Sequence, residues 1–137
     1  MKYRKPSSSD IDLLTEMNIK LRADEQIDNV MTYTEVKTRM EGFLFDKDYV
    51  IELIEDNNDV VGYYLLNKGK DPIYLRQLFI KNEHRNKGYG RTTIDHIMDE
   101  MKIHSLDIDV MVWNTEAIKF YERCGFRERY LSMRLST

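Results

Sequence analysis

Hydrophobic positions along the chain change rhythm twice. In "DIDLLTEMNIKLRAD", Ile11, Leu14, Met17, Ile19 and Leu21 give a helix an apolar side, and "SSSD" at 7–10 supplies its N-cap. A second helix reads from "TEVKTRMEGFLF", capped by Thr34, with Val36, Met40, Phe43 and Leu44 on one face. The period then shortens. "YVIELIED" reads as a strand, "NND" as a turn of the kind Asn and Asp favour, and "VVGYYLLN" as a strand apolar enough to be buried on both faces. These two form a hairpin. "KGKDP" turns the chain into a third strand, "IYLRQLFI". Helical spacing returns with Ile94, Ile97, Met98 and Met101 at i, i+3, i+4 and i+7. "SLDIDVMVW" alternates as a strand. "NTEAIKFYERCG" is a short helix, capped by Asn114 or Thr115 and ended by Gly125, and "FRERYLSMRL" is a last strand.

A strand, crossover helix and strand in succession imply a parallel pair, and the earlier hairpin implies antiparallel pairing. The expected fold is α/β (α+β): a mixed central sheet of about six to seven strands flanked by about four helices. The length, 137 residues, suits one domain over 1–137.

Composition narrows the class. Apolar residues make up 42% and charged residues 33%, an ordinary globular balance. The single cysteine, Cys124, rules out a disulfide framework and a thiolate cluster for zinc. No apolar run reaches membrane-spanning length, and "MKYRKPSSSD" lacks the apolar core of a signal peptide, so no membrane partner and a cytoplasmic location are expected. Charge is uneven: residues 1–60 hold 8 Lys/Arg and 14 Asp/Glu, whereas 61–137 hold 13 and 10. The chain is acidic overall and its basic residues form no long stripe, which argues against nucleic acid.

The chemistry concentrates in "NEHRNKGYGRTTI" at 82–94. A helix opening at Gly88 leaves its first N–H groups without partners, at the positive end of its dipole. A phosphate accepts such bonds, and glycines let it approach the backbone. Arg85 and Arg91 add charge at the rim. The spacing is neither the dinucleotide-binding fingerprint nor a Walker loop. By itself it is equally a glycine-eased strand-to-helix turn.

Arg85-x-x-Gly88-x-Gly90, directly after "LFI", resembles the acetyl-CoA loop of the GNAT superfamily of N-acetyltransferases. "NTEAIKFYERCGF", some 25 residues on, is similar to a second motif of that superfamily through Asn114, Ala117, Phe120, Tyr121, Gly125 and Phe126. The resemblance covers the whole chain in element order and is specific over about 73–126. It implies acetyl-CoA as donor, its pantetheine arm on the backbone of Leu78, Phe79 and Ile80. The pyrophosphate would sit on the loop of Arg85, Asn86, Lys87, Gly88, Tyr89, Gly90 and Arg91. The strand at 105–112 would splay away to open a cleft. Tyr121 would then be the acid that protonates the departing thiolate. A phenol with a pKa near 10 can do so, and Asn114 shares its helix face and would meet the same ligand. The implied reaction is direct attack of an amine on the thioester, through a tetrahedral oxyanion stabilised by backbone N–H groups near Leu78 to Ile80.

The general base is open. Relatives often carry a glutamate on the strand before the loop, where this chain has the neutral Gln77; Glu52, Asp109 or water relay are the alternatives. His84 lies in the loop, His96 and His104 read as helix surface and turn, and Cys124 as packing. The superfamily shapes its acceptor side with the first two helices. Here Asp24, Glu25, Asp28 and Glu35 would attract a cationic small-molecule or peptide amine, beside an apolar wall of Met31, Tyr33 and Phe45. A non-catalytic acetyl-CoA-binding module is the competing reading. Either a monomer or a homodimer paired through "YLSMRL" fits.

Overall fold

The start of the first helix is held by two short polar side chains. The Ser7 backbone N–H donates to the Asp10 carboxylate at 2.8 Å, one arm of a capping box, and the Asp10 N–H donates to the Ser7 carbonyl at 3.0 Å, closing one turn of 3-10 helix. The computed structural model describes every residue from Met1 to Thr137. Helix α1 follows over Ile11–Asp24 and buries Leu14, Met17 and Leu21; Ile19, off that stripe, is exposed. Helix α2 spans Tyr33–Phe45 and is capped by Thr32, two residues before the expected Thr34. The reason is the side chain three positions on. Glu35 closes a capping box with Thr32, its N–H donating to Thr32 Oγ1 at 3.2 Å, whereas Thr34 is followed at that spacing by Lys37.

Five strands make one sheet, in the order β1 (Lys2–Arg4), β2 (Tyr49–Asp56), β3 (Asp59–Asn67), β4 (Ile73–Ile80) and β5 (Leu106–Asp107). All neighbours are antiparallel except β4 and β5, which are parallel across the crossover helix α3 (Tyr89–Met101). Helix α4 (Thr115–Arg123) ends the regular structure, with Gly125 at φ 106° terminating it. The class is the expected mixed α/β, with four α-helices and fewer strands.

Strand β3 is buried on both faces, as its composition requires. Tyr63 and Leu65 face α1 and α2, in a core with Leu14, Met17, Met40 and Phe79. Tyr64 and Leu66 face α3, in a second core with Leu75, Ile94 and Ile97. At Gly62 the sheet closes so tightly that a Cβ would lie 2.0 Å from the Phe79 carbonyl oxygen.

Three expectations fail. Strand β1 is absent from the expected elements, since three residues among charges carry no readable alternation; Tyr3 secures it by stacking on His96 at 3.6 Å. The alternating stretch "SLDIDVMVW" is a strand only at Leu106–Asp107, because β4 pairs with it only at Ile73 and Tyr74 before the two diverge. "FRERYLSMRL" is not a strand. No strand lies beside it, and Tyr130, Leu131, Met133 and Leu135 are 66 to 94% exposed. Alternation shows which side chains share a face; a strand also needs a partner backbone.

Candidate active site

The site begins with a break in register. Leu65 pairs with Gln77 but Leu66 with Leu75, which leaves Arg76 as the extra residue of a β-bulge on β4. The bulge turns Leu75 toward the α3 core while Gln77 faces α1. It also leaves β4 with one unpaired edge. Beyond Tyr74 no strand covers the β5 side of residues 75–80, so their outward backbone N–H and C=O groups are open to an extended ligand.

Between this edge and residues 108–110 lies a cavity of about 70 Å³, walled by Glu25, Arg76, Gln77, Asp109, Asn114 and Tyr121. Leu78 lines it too. Phe79 is buried in the α1/α2 core, 6.4 Å from the Tyr63 ring, and its carbonyl oxygen faces Gly62 of β3, so contrary to expectation Leu78 and Ile80, not Phe79, turn backbone groups to this edge. The Ile80 carbonyl already accepts from Arg85 Nε at 2.7 Å.

The loop after β4 is shaped by two left-handed residues, Asn86 at φ 62° and Gly88 at φ 88°. Gly88 is the N-cap of α3, and nothing lies within 4 Å of where its Cβ would be. Its glycine is therefore required by backbone conformation and leaves the approach clear. Gly90 serves packing instead, since a Cβ there would meet the Phe120 ring at 2.8 Å. The N–H groups of Asn86 to Arg91 have no acceptor within the protein, and successive free N–H groups of this kind form an anion nest.

The side chains of this loop are used differently from expectation. Arg85 turns inward, bonds Asp24 at 2.8 Å and ties the loop to the end of α1. Arg91 donates to the Arg123 carbonyl at the end of α4, and the Tyr89 hydroxyl to Asp56. Lys87 remains exposed and unpaired. Arg85 is thus engaged by Asp24 and the Ile80 carbonyl, Arg91 keeps guanidinium donors exposed, and the loop offers backbone N–H groups and Lys87. A hollow of about 270 Å³ beside it, between α1 and the end of β4, is bordered by Lys20, Asp24, Lys81 and Arg85.

Helix α4 carries the remaining groups. Asn114 Oδ1 caps it, accepting from the Ala117 N–H at 3.3 Å, which leaves the amide NH₂ free at the cleft wall. Tyr121 sits between Phe120 and Phe126, edge to face at 5.1 and 5.4 Å. Its hydroxyl makes no hydrogen bond within the protein. Burial, with the Glu25 charge adding, raises its pKa, so the phenol keeps its proton.

On the floor, Gln77 is held by a buried relay. Asn18 Nδ2 donates to the Tyr63 hydroxyl at 3.0 Å, which donates to Gln77 Oε1 at 2.7 Å. The Gln77 NH₂ is left for the cleft.

The acids separate sharply. Glu52 lies on the other face of the sheet, bonded by Tyr64 and by His96 Nε2 at 2.9 Å, and has no access to the cleft. That contact also makes His96 part of a half-buried network instead of helix surface. Asp109 lines the cleft but accepts from Tyr74 at 3.0 Å, and burial followed by that charge raises the Tyr74 pKa to about 12. Asp24 is paired with Arg85, Asp28 with Arg134 at 3.7 Å, and Glu35 with the Thr32 backbone at 2.9 Å. Glu25 is left. Its carboxylate has no hydrogen bond or ion pair, and burial raises its pKa. It follows the last turn of α1, where the Trp113 indole donates to its carbonyl at 3.0 Å. The sequence offers Glu25 as one of four similar acids; only tertiary pairing singles it out. Of the expected apolar wall, Met31 joins the core, Tyr33 bonds Asp12 and Phe45 is exposed. His84 stands edge-on to Tyr89, and Cys124 lies against the α3 core with its thiol pKa raised by burial.

A sheet with one open edge, a backbone anion nest at its end and a free phenol in the same cleft suit an extended, pyrophosphate-bearing acyl donor. A model of the acetyltransferase (GNAT) family matches residues 16–126. The chain belongs to that family, whose acetyl donor is acetyl-CoA. A spermidine N(1)-acetyltransferase of Vibrio cholerae serotype O1 is 38% identical over 56 residues, 38% of this chain and 32% of that protein; the match thus spans about a third of that relative's length. Among solved structures, a possible acetyltransferase from Clostridium difficile 630 aligns with TM-score 0.80 at 16% identity, over 99% of this chain and 96% of that one. The Vibrio cholerae spermidine N-acetyltransferase in complex with CoA and spermine aligns with TM-score 0.75 at 22% identity, over 94% and 82%. At these identities the likeness is one of fold. No helix is long and apolar enough to cross a membrane.

Proposed function

We propose that the protein transfers the acetyl group of acetyl-CoA to the nitrogen of a small primary amine. The observation that carries this reading is the Tyr121 hydroxyl, without a partner in the protein and in one cleft with the open edge of β4. Backbone groups of Leu78 and Ile80 would hold the pantetheine arm. The N–H groups of Asn86 to Arg91, with Lys87, would hold the pyrophosphate. When bound, the thioester supplies the activated acetyl carbon.

The chain's own groups manage the protons. Glu25 takes a proton from the ammonium, and burial, by raising its pKa, makes it a stronger base than an exposed carboxylate. N–H groups along the open β4 edge face the carbonyl oxygen as charge builds on it. As the C–N bond forms and the C–S bond breaks, Tyr121 gives its proton to the departing sulfur, and the product is an acetamide and a thiol. Asn114 and Gln77 contribute amide donors beside the reacting atoms. The relatives named for spermidine support an amine acceptor.

Thiol release with a panel of amines tests the reading. Turnover that is lost in Tyr121→Phe supports it. Tight acetyl-CoA binding without turnover on any amine would favour a binding module. Acetyl-CoA at 100 times its Kd should stabilise the fold by about 2.7 kcal/mol.

A further inference from the structure

The acceptor side of the cleft holds an arginine that makes no ion pair. Arg76, the bulged residue of β4, lines the cavity with Glu25 and Tyr121. Its guanidinium lies 5.2 Å from the Phe43 ring centre, and that of Arg39, from α2, lies 5.4 Å from the same ring. Neither arginine has an ion pair, although eight are present elsewhere in the molecule. Arg76 Nε is buried without any hydrogen-bond partner. Burial, with the charges of Arg76 and Arg22, holds Arg39 below the ordinary arginine pKa. Arg76, at the cavity wall and short of acceptors, with a second guanidinium by the same ring, suits a planar anion.

The free acids nearby are too few for a polycation. Glu25 can meet one ammonium, and Asp109 is engaged by Tyr74. A second ammonium reaching further along the wall would meet Arg76. Taking the transfer reading above as given, we propose that the acceptor is an amine that also carries a carboxylate, of the amino-acid type, its anion bound by Arg76, with the charge of Arg39 beside it on the Phe43 ring, while its nitrogen faces Glu25. This separates the chain from a polyamine acetyltransferase by the charge of its acceptor wall.

The test uses amines matched but for the carboxylate, lysine against cadaverine and phenylalanine against phenethylamine, with spermidine alongside. Acetylation by the full chain is followed in the wild type, Arg76→Gln and Arg39→Gln. In parallel, the CoA-bound protein is titrated calorimetrically with each compound, so that binding is read without turnover. The expected result is at least a tenfold preference in kcat/KM, or in Kd, for the carboxylated member of a pair. Arg76→Gln should erase that preference through a rise of about tenfold to a hundredfold in the KM or Kd of that member, the size of a lost hydrogen bond to a charged group, and Arg39→Gln should weaken it. Equal use of both members, a preference for cadaverine or spermidine, or a carboxylate preference that survives in Arg76→Gln overturns the proposal. So does a titration in which no carboxylated amine binds. Acetyl transfer to cadaverine or spermidine alone would leave the transferase reading intact while removing the anionic subsite. Carboxylated amines that bind but are never acetylated would remove the transferase reading and keep the subsite.

Discussion

Replacing Tyr121 with phenylalanine removes one oxygen from the cleft and leaves the packing alone. The ring keeps its edge-to-face contacts with Phe120 and Phe126 at 5.1 and 5.4 Å. The lost hydroxyl has no hydrogen-bond partner in the protein, so no group is orphaned. The cost in stability should stay within about 0.5 kcal/mol, a shift in Tm of roughly two degrees for a chain this size. The cost in rate should be far larger. Without the phenol, the sulfur leaves as a thiolate with no proton donor. General acid catalysis contributes roughly 10²–10⁴-fold, or about 2.7–5.4 kcal/mol at 1.36 kcal/mol per tenfold. Burial keeps the wild-type phenol protonated well beyond ordinary assay pH, so no alkaline loss from its own ionisation is expected. Thiol release gives kcat, calorimetry with CoA gives donor affinity, and a melting curve gives stability. A variant that keeps kcat within threefold of wild type refutes the acid role. One that loses activity together with ten degrees of Tm shows that Tyr121 is a packing residue.

Further outcomes follow from single contacts. Glu25→Gln should lower kcat/KM by roughly 10²–10⁴-fold and abolish the acidic limb of the pH profile; a limb that persists assigns the base elsewhere. Because the folded-state pKa of Glu25 is raised, its ionisation costs stability as pH climbs from the ordinary carboxylate value through the folded one. Glu25→Gln should therefore melt higher than wild type above that window and equally below it. Asp10 has the opposite sign: the Arg4 bond lowers its pKa, so its contribution is complete above the ordinary carboxylate value and lost as pH falls through the folded one. In Asp10→Asn the loss, seen by thermal melts, should be about 1 kcal/mol at neutral pH and vanish in acid, Arg4 being partly solvent-exposed. Gly62→Ala sets a Cβ 2.0 Å from the Phe79 carbonyl oxygen and must part β3 from β4. It should cost about 3 kcal/mol or more in denaturant unfolding. Asn114→Ala should cost about 1 kcal/mol through the lost cap of α4, with amide exchange rising at Ala117.

Much of this molecule is legible in one dimension. The helices and the three long strands follow from periodicity, because each buries a face that its own spacing defines. The glycine loop is legible as an open backbone turn because Gly88 must adopt φ 88° and leave open space, a demand that falls on residue type. Tyr121 and Asn114 are legible because both lie on one short helix, where sequence distance fixes spatial distance. What the sequence could not rank were its charged side chains. Asp24, Glu25, Asp28 and Glu35 look alike along the chain, and Arg85 and Arg91 look like a phosphate rim. Their partners come from elements far apart in sequence: Asp24 with Arg85, Asp28 with Arg134, Arg91 with the Arg123 carbonyl. Only the packed structure decided that Glu25 and Arg76 are left facing the cleft. Hydrophobic pattern is local and repeats, so it survives in sequence. Pairing of charges is set by which surfaces folding brings together, so it exists only in three dimensions.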